Sequence, residues 1–288
     1  MRLILYIVSL FSFLSCKPSA KKTAETAAPA PASGTSLPYQ IGQPTTTHTL
    51  PPDLREISGL SYYKPGKLAC VQDELGVVFI YDLTKKAVVA EHIFGENADY
   101  EGVEFVDGNL YVLRSDGELY VTKPDESGEV KELGNATPTR HIQIDLPGKN
   151  DLEGLGYDPK LEALLLATKD GKGTDKIIYY YSLKNKRLFQ GLVLKQADIQ
   201  AFDPSLEAAF KPSGLAVHPQ TGDYYVLSSA ARRLAVLAPN GTIKSVTPLP
   251  KKLLPQPEGI CFSPSGTLYI SSEGDGKQGI LLEFAPAP

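Results

Sequence analysis

Leu152-Glu153-Gly154-Leu155-Gly156-Tyr157 sets apolar residues in alternation with small or polar ones around a glycine, which is the period of a β-strand. The phrase returns four times, as Ile57-Ser58-Gly59-Leu60-Ser61-Tyr62, Tyr100-Glu101-Gly102-Val103-Glu104-Phe105, Pro212-Ser213-Gly214-Leu215-Ala216-Val217 and Pro257-Glu258-Gly259-Ile260-Cys261-Phe262. Each copy is followed by a second apolar run, at residues 68–71, 110–113, 164–167, 224–227 and 268–270, in most copies after a turn such as Lys64-Pro65-Gly66, Asp107-Gly108-Asn109 or Pro264-Ser265-Gly266. Apolar runs bracketing turn residues read as hairpins. Two further strand-like runs follow, for example 77–81 and 87–90 after the first copy and 176–182 and 188–194 after the third. A complete copy therefore holds four strands.

The repeated glycines at 59, 102, 154, 214 and 259 stand 43, 52, 60 and 45 residues apart, a spacing that begins at the period of one four-stranded propeller blade and runs longer. The longest gap contains residues 197–210, with Ala201, Leu206, Ala208 and Ala209, and reads as a helical or looped insertion. The last copy ends at Phe284 after three strands, whereas Thr45-Thr46-Thr47-His48-Thr49-Leu50 is a spare β-branched strand before the first copy. Pairing the two ends supplies the missing outer strand. The expectation is an all-β chain forming a single five-bladed β-propeller with its ring closed by an N-terminal strand; six blades is the alternative.

These phrases in register, with Val71-Gln72-Asp73-Glu74 after a second strand and Ser272-Glu273 in the last copy, resemble the SdiA-regulated family of bacterial extracytoplasmic propellers over about residues 50–286. The resemblance implies an exported propeller of no settled activity, distantly similar to calcium-binding lactonase and phytase propellers.

The first residues support export. Arg2 precedes an apolar stretch from Leu3 to Leu14 that is too short to span a bilayer, the pattern of a signal peptide. Leu14-Ser15-Cys16, with Phe13 at the usually aliphatic position, resembles a bacterial lipobox, so 1–16 is read as a lipoprotein signal and Cys16 as the lipidation site. Residues 17–38 are rich in Ala, Pro, Ser and Thr and form a flexible linker; 39–288 form the propeller domain. The chain is expected in the cell envelope, anchored to a bilayer through acylated Cys16 and facing the periplasm or the exterior, as a monomer. Of the other cysteines, Cys70 and Cys261 lie in strand-like segments without metal-ligand spacing; they are two buried thiols or one bridge.

Composition narrows the partners. With 29 Lys and Arg against 33 Asp and Glu and a formal charge of −4, there is no basic footprint for nucleic acid. An envelope protein or a small polar ligand remains. In a propeller the innermost strand starts, and the second strand ends, on the same face, so the residues before each repeated glycine and those after each second strand converge on the mouth of the central channel. The first set supplies Ser58, Glu101, Glu153, Ser213 and Glu258, with Asp99 and Asp151 just outside. The second supplies Gln72, Asp73 and Glu74; Arg114 and Asp116; Lys169 and Asp170; Ser229 and Arg232; and Ser272, Glu273 and Asp275. Of these, Asp73, Glu74, Arg114, Asp116, Lys169, Asp170, Arg232 and Glu273 are the ligand-binding candidates.

Glu101, Glu153 and Glu258, aimed at one axis, repel one another unless a cation joins them; Ca²⁺, which takes six to eight oxygen ligands, is the expected cofactor. The competing expectation caps each Glu on its own strand or pairs it with Arg114, Lys169 or Arg232. The enzymatic alternative is calcium-dependent hydrolysis of an ester, lactone or phosphoester with Glu153 or Asp73 as base. No histidine suits a Ser-His-Asp arrangement: His48 lies in the N-terminal strand, His92 and His141 in outer strands, and His218 at the face opposite the mouth. The binding reading sets Tyr62, Tyr100 and Tyr157 near the mouth, or packs them between blades. In Tyr179-Tyr180-Tyr181 the middle ring is expected to face away from its neighbours.

Overall fold

In the computed structural model, which describes residues 37–124, 138–148, 151–170 and 173–287, five four-stranded antiparallel sheets stand around one axis. Blade 1 runs from the axis outward as Ile57–Lys64, Lys67–Gln72, Val77–Asp82 and Ala87–Ile93. Blade 2 is Tyr100–Val106, Asn109–Arg114, Glu118–Thr122 and Arg140–Gln143; blade 3 is Asp151–Asp158, Ala163–Asp170, Lys176–Ser182 and Arg187–Leu194. Blade 4 is Gly214–Val217, Tyr224–Ser228, Arg233–Leu237 and Ile243–Pro248. Blade 5 takes Gln256–Phe262, Leu268–Gly274 and Lys277–Phe284 from the C-terminal end and its outer strand, Thr46–Thr49, from the N-terminal end. The ring is five-bladed, not six.

The ring closes as the sequence requires. Thr46–Thr49 pairs antiparallel with Lys277–Phe284, Thr47 opposite Leu282 and Thr49 opposite Ile280, and the Leu50 N–H donates to the Gly279 carbonyl. Buried His48 Nε2 sits 2.6 Å from Glu283 Oε1. The long gap between the third and fourth glycines holds a helix, Gln196–Phe202, and a loop. Its Ile199, Leu206 and Phe210 join the apolar layer between blades 3 and 4.

Local turn chemistry fixes the hairpins. Between Val106 and Asn109, Asp107 and Gly108 both have positive φ, 49° and 76°, the two-residue turn whose twist matches its strands. The blades then bury their faces against one another, and there are five apolar clusters, one at each interface between neighbours. Tyr179 and Tyr181 pack toward blade 2 and Tyr180 toward blade 4, so the three rings form no single patch. Cys70 and Cys261, both in the layer between blades 5 and 1, are buried free thiols.

At the axis the inner strands approach more closely than side chains allow. A Cβ on Gly59 would meet Gly102 Cα at 2.8 Å, one on Gly102 would meet Leu155 Cβ at 2.7 Å, and one on Gly259 would meet Leu60 Cγ at 2.7 Å. The Gly154 position faces Leu215 at 3.3 Å and Gly214 faces the Glu258 carbonyl. Each repeated glycine thus touches the next blade, and the fifth returns to the first.

Two outcomes test this account. Gly102→Ala should destabilise by about 1–3 kcal/mol, whereas Gly42→Ala, with open space around it, should stay within about 0.5 kcal/mol; denaturant unfolding reads both. A chain starting at Pro51 should lose its cooperative transition or melt more than 10 °C lower, by roughly the 2–4 °C per kcal/mol of domains this size. An unchanged melt would show that the N-terminal strand does not hold the ring.

Candidate functional site

The repeated phrase does two things at its centre. The glycine admits the next blade, and the residue before it sits at a strand irregularity: Tyr100 pairs with Arg114 but Gly102 with Leu113, and Leu152 with Thr168 but Gly154 with Ala167. The same shift occurs between Ile57 and Gly59 and between Pro257 and Ile260. A bulge re-aims its extra residue. Ser58, Glu101, Glu153 and Glu258 consequently line one void of about 10 Å³ on the axis, room for a single water-sized particle. Blades 1 and 4 carry serine here, and Ser58 Oγ and Ser213 Oγ donate across to the Tyr100 and Pro257 carbonyls of the next blade at 2.7 Å.

The three glutamates part ways electrostatically. Buried Glu153 accepts a hydrogen bond from Lys169 Nζ. Glu101 is pushed up to about 9, first by burial, then by Asp99, with Lys169 pulling the other way and Glu258 adding repulsion. Glu258 is pushed up to about 8, again mainly by burial, then by Glu273, against hydrogen bonds from Ser229 and Ser213. Both are protonated at neutral pH. Of the three cations offered as partners, Lys169 reaches Glu153, while the Arg114 guanidinium is held by Asp116 at 2.7 Å, Glu118 at 2.8 Å and the Tyr120 hydroxyl at 2.8 Å. Arg232 is exposed on a turn with φ of 47°.

Outside the void a second tier of carboxyls continues the network. Burial raises Asp73, with Glu56, Glu74 and Asp99 adding to it, and buried Asp73 Oδ1 has no hydrogen-bond partner. Burial also raises Glu273, beside Asp73 and Glu56, and Asp151, beside Asp170 and Asp99. Asp170 itself is turned outward to Lys211 at 2.9 Å and Lys176 at 3.7 Å, and hydrogen bonding to Lys211 lowers it. Glu74 is exposed. The structure thus gathers Glu101, Glu153, Glu258, Asp73, Glu273 and Lys169 at the mouth, and leaves Arg114 and Asp116 as a local clasp of blade 2. Glu56 belongs to the network and was not expected; lying two residues before Ser58, it carried no repeat signal. Among the described residues no three His, Cys, Asp or Glu side chains already stand around a metal-sized point. The lipidation site Cys16 lies outside the described residues.

None of the three tyrosines lines the void at the mouth, and Tyr100 follows the alternative of packing between blades. Tyr62 and Tyr157 line a cavity at the opposite end of the channel, because four residues of strand at about 3.3 Å each separate them from Ser58 and Glu153. Tyr100 is fully buried between blades 1 and 2. The histidines lie where expected, His48 against Glu283 and Tyr81, and His218 at the far face against Tyr39.

The raised carboxyls set a pH dependence. A carboxyl held above its ordinary 4.5 stabilises the fold below that value, and the contribution is lost as pH rises toward about 8 to 9. Every tenfold gain in proton affinity on folding corresponds to about 1.4 kcal/mol before solvent screening. The melting temperature should therefore fall by several degrees between pH 5 and pH 9, and Glu101→Gln with Glu258→Gln should flatten the decline. A wild-type melt that is level across this range would contradict the protonated state of the channel.

No curated protein matches the sequence significantly. Among solved structures, a glutaminyl cyclase from Myxococcus xanthus aligns with a TM-score of 0.56 and 14% identity, over 84% of this chain and 95% of the other. A luciferin-regenerating enzyme aligns with a TM-score of 0.51 and 13% identity, over 84% and 95%. At such identities they share the fold alone. The sequence model of the SdiA-regulated family matches residues 43–275, and the chain, with its five glycine-centred blades, belongs to that family.

Proposed function

We propose that this propeller is a recognition module, lipid-anchored in the cell envelope through Cys16, whose acidic channel mouth binds a cation, either a divalent ion such as Ca²⁺ or the charged group of a small polar ligand or envelope partner. The observation that carries the reading is the carboxyl network: burial raises Glu101, Glu258, Asp73 and Glu273, Glu258 adds to Glu101, Glu273 to Glu258 and Asp73 to Glu273, with Lys169 as the ammonium acting on three of them, and the buried Asp73 Oδ1 is unsatisfied. An arriving cation would displace the protons from Glu101 and Glu258 and neutralise the carboxylates so formed. The void on the axis suits a bare ion in size, and carboxylate oxygens are the ligands Ca²⁺ takes. Glu153, one candidate base for the hydrolytic alternative, is occupied by Lys169, which favours binding over catalysis. The envelope location rests on the signal and lipobox of the sequence.

Residues 38–288, stripped with chelator, should bind Ca²⁺ in calorimetry with release of protons and with affinity at least tenfold higher at pH 9 than at pH 7, because the metal competes with protons held above neutrality. The triple variant Glu101→Gln, Glu153→Gln, Glu258→Gln should lose at least tenfold. If neither heat nor a shift in melting temperature accompanies Ca²⁺ at either pH, the divalent-ion form of the reading fails.

A further inference from the structure

The opposite end of the channel is built differently from the mouth. There the repeated strands end in a cavity of about 210 Å³. Its walls come from all five blades and include four aromatic rings, Tyr62 from blade 1, Phe105 from blade 2, Tyr157 from blade 3 and Phe262 from blade 5, with Ala216 and Val217 from blade 4. Two carboxyl residues line it, Glu104 and Asp158, and the first is the one without a full set of partners. This residue stands two positions after its repeated glycine, where the other blades have Ser61, Gly156, Ala216 and Cys261.

Glu104 is held in place without a cationic partner. Ser61 Oγ donates to its Oε2 at 2.8 Å, and the backbone N–H groups of Phe105 and Tyr157 act on it as donors. All three are uncharged, and no ammonium or guanidinium is among the groups acting on it. Burial outweighs these donors and pushes the carboxyl up to about 8. The other ionisable groups around the cavity are already satisfied. Asp158 Oδ1 accepts from the Lys160 and Leu161 N–H groups at 2.8 and 3.2 Å, and its Oδ2 accepts from the Tyr224 hydroxyl at 2.7 Å. His218 Nδ1 accepts from the Gln220 and Thr221 N–H groups, so the proton lies on Nε2, 3.0 Å from the Tyr39 hydroxyl. Burial lowers His218, keeping it neutral. Lys160 is exposed at the rim.

We propose that this cavity is a second binding site, separate from the acidic mouth, and that it takes a small organic ammonium ion with its charge against Glu104 and its alkyl groups against the faces of Tyr62, Phe105 and Tyr157. Aromatic faces attract cations through the ring quadrupole, more strongly where water is excluded, and the carboxyl supplies the counter-charge once the entering ammonium displaces its proton. The volume lies below the roughly 300–1,000 Å³ of drug-sized sites, which limits the occupant to a compact group, either a primary or quaternary ammonium with a few carbons or that group at the end of a longer molecule.

The probe is choline, and its comparator is 3,3-dimethylbutan-1-ol, the same shape with carbon in place of the charged nitrogen. Calorimetry and thermal shift on residues 38–288 should show choline binding at least tenfold more tightly than the alcohol. Glu104→Gln should abolish that preference and Tyr62→Leu should weaken choline several-fold, while Glu91→Gln on an outer strand changes neither. Glu104→Gln should leave Ca²⁺ titration of the mouth unaltered, so the two sites fail independently. Equal binding of the neutral alcohol, tighter binding of hexanoate directed by Lys160, or no binding of choline would each overturn the proposal.

Discussion

Around the axis the inner strands meet at separations that, at four of the five contacts, only glycine permits, and the other features of the molecule follow from those contacts. With Gly59 against Gly102, Gly102 against Leu155 and Gly259 against Leu60, the ring narrows to a channel that admits one water-sized particle at its waist. The apolar residues that follow the glycines close the layers between blades, and each layer is completed only by its neighbour. The same dependence explains the borrowed outer strand. Blade 5 presents an unpaired edge at Lys277–Phe284 unless Thr46–Thr49 covers it, and an uncovered edge is a liability for pairing with other chains.

The close approach also divides the channel into two environments. In blades 1, 2, 3 and 5 the residue before the glycine is turned to the axis by a bulge, at the end where most second strands finish in acidic turns. The residue two positions after it lies toward the other end, among aromatic side chains. A strand of seven or eight residues such as Tyr100–Val106 or Asp151–Asp158 thus carries a carboxyl at one end and an aromatic wall at the other. One end gathers carboxyls that hold protons; the other sets Glu104, with no cationic partner, beside aromatic side chains.

The scaffold was legible in the sequence because it is written in short-range signals. The glycine phrase, the turn residues and the period-two alternation located the inner and second strands of every blade, the insertion after the third, and the strand that closes the fifth. The site was legible only in part. The glutamates at the waist were found because they share one position in the repeat, and His218 was correctly put at the far face. Register irregularities leave no mark in composition, so the bulges that aim Glu101 and Glu153 were not visible. Side-chain reach was not visible either: Arg114 turns to Asp116 and Glu118, and the distance along a strand carries Tyr62 and Tyr157 away from the mouth. Glu104 had a readable signal, an acidic residue where four other copies have small ones, and Glu56 had none.

The ring holds its own control for the meaning of the glutamates. At the position before the repeated glycine, blades 1 and 4 use serine, whose hydroxyl satisfies a carbonyl of the next blade at 2.7 Å. That solution is compact, neutral and stitches adjacent blades together. Blades 2, 3 and 5 place a carboxyl at the equivalent point, where burial forces protonation of Glu101 and Glu258 and requires Lys169 for Glu153. Taking a carboxyl out of water costs several kcal/mol unless it is paired, and the same fold shows that the position can be filled without that cost. The stabilising choice and the acidic choice coexist in one ring, so closure of the propeller does not by itself require the acids, and their oxygens are available to a cation that displaces the protons.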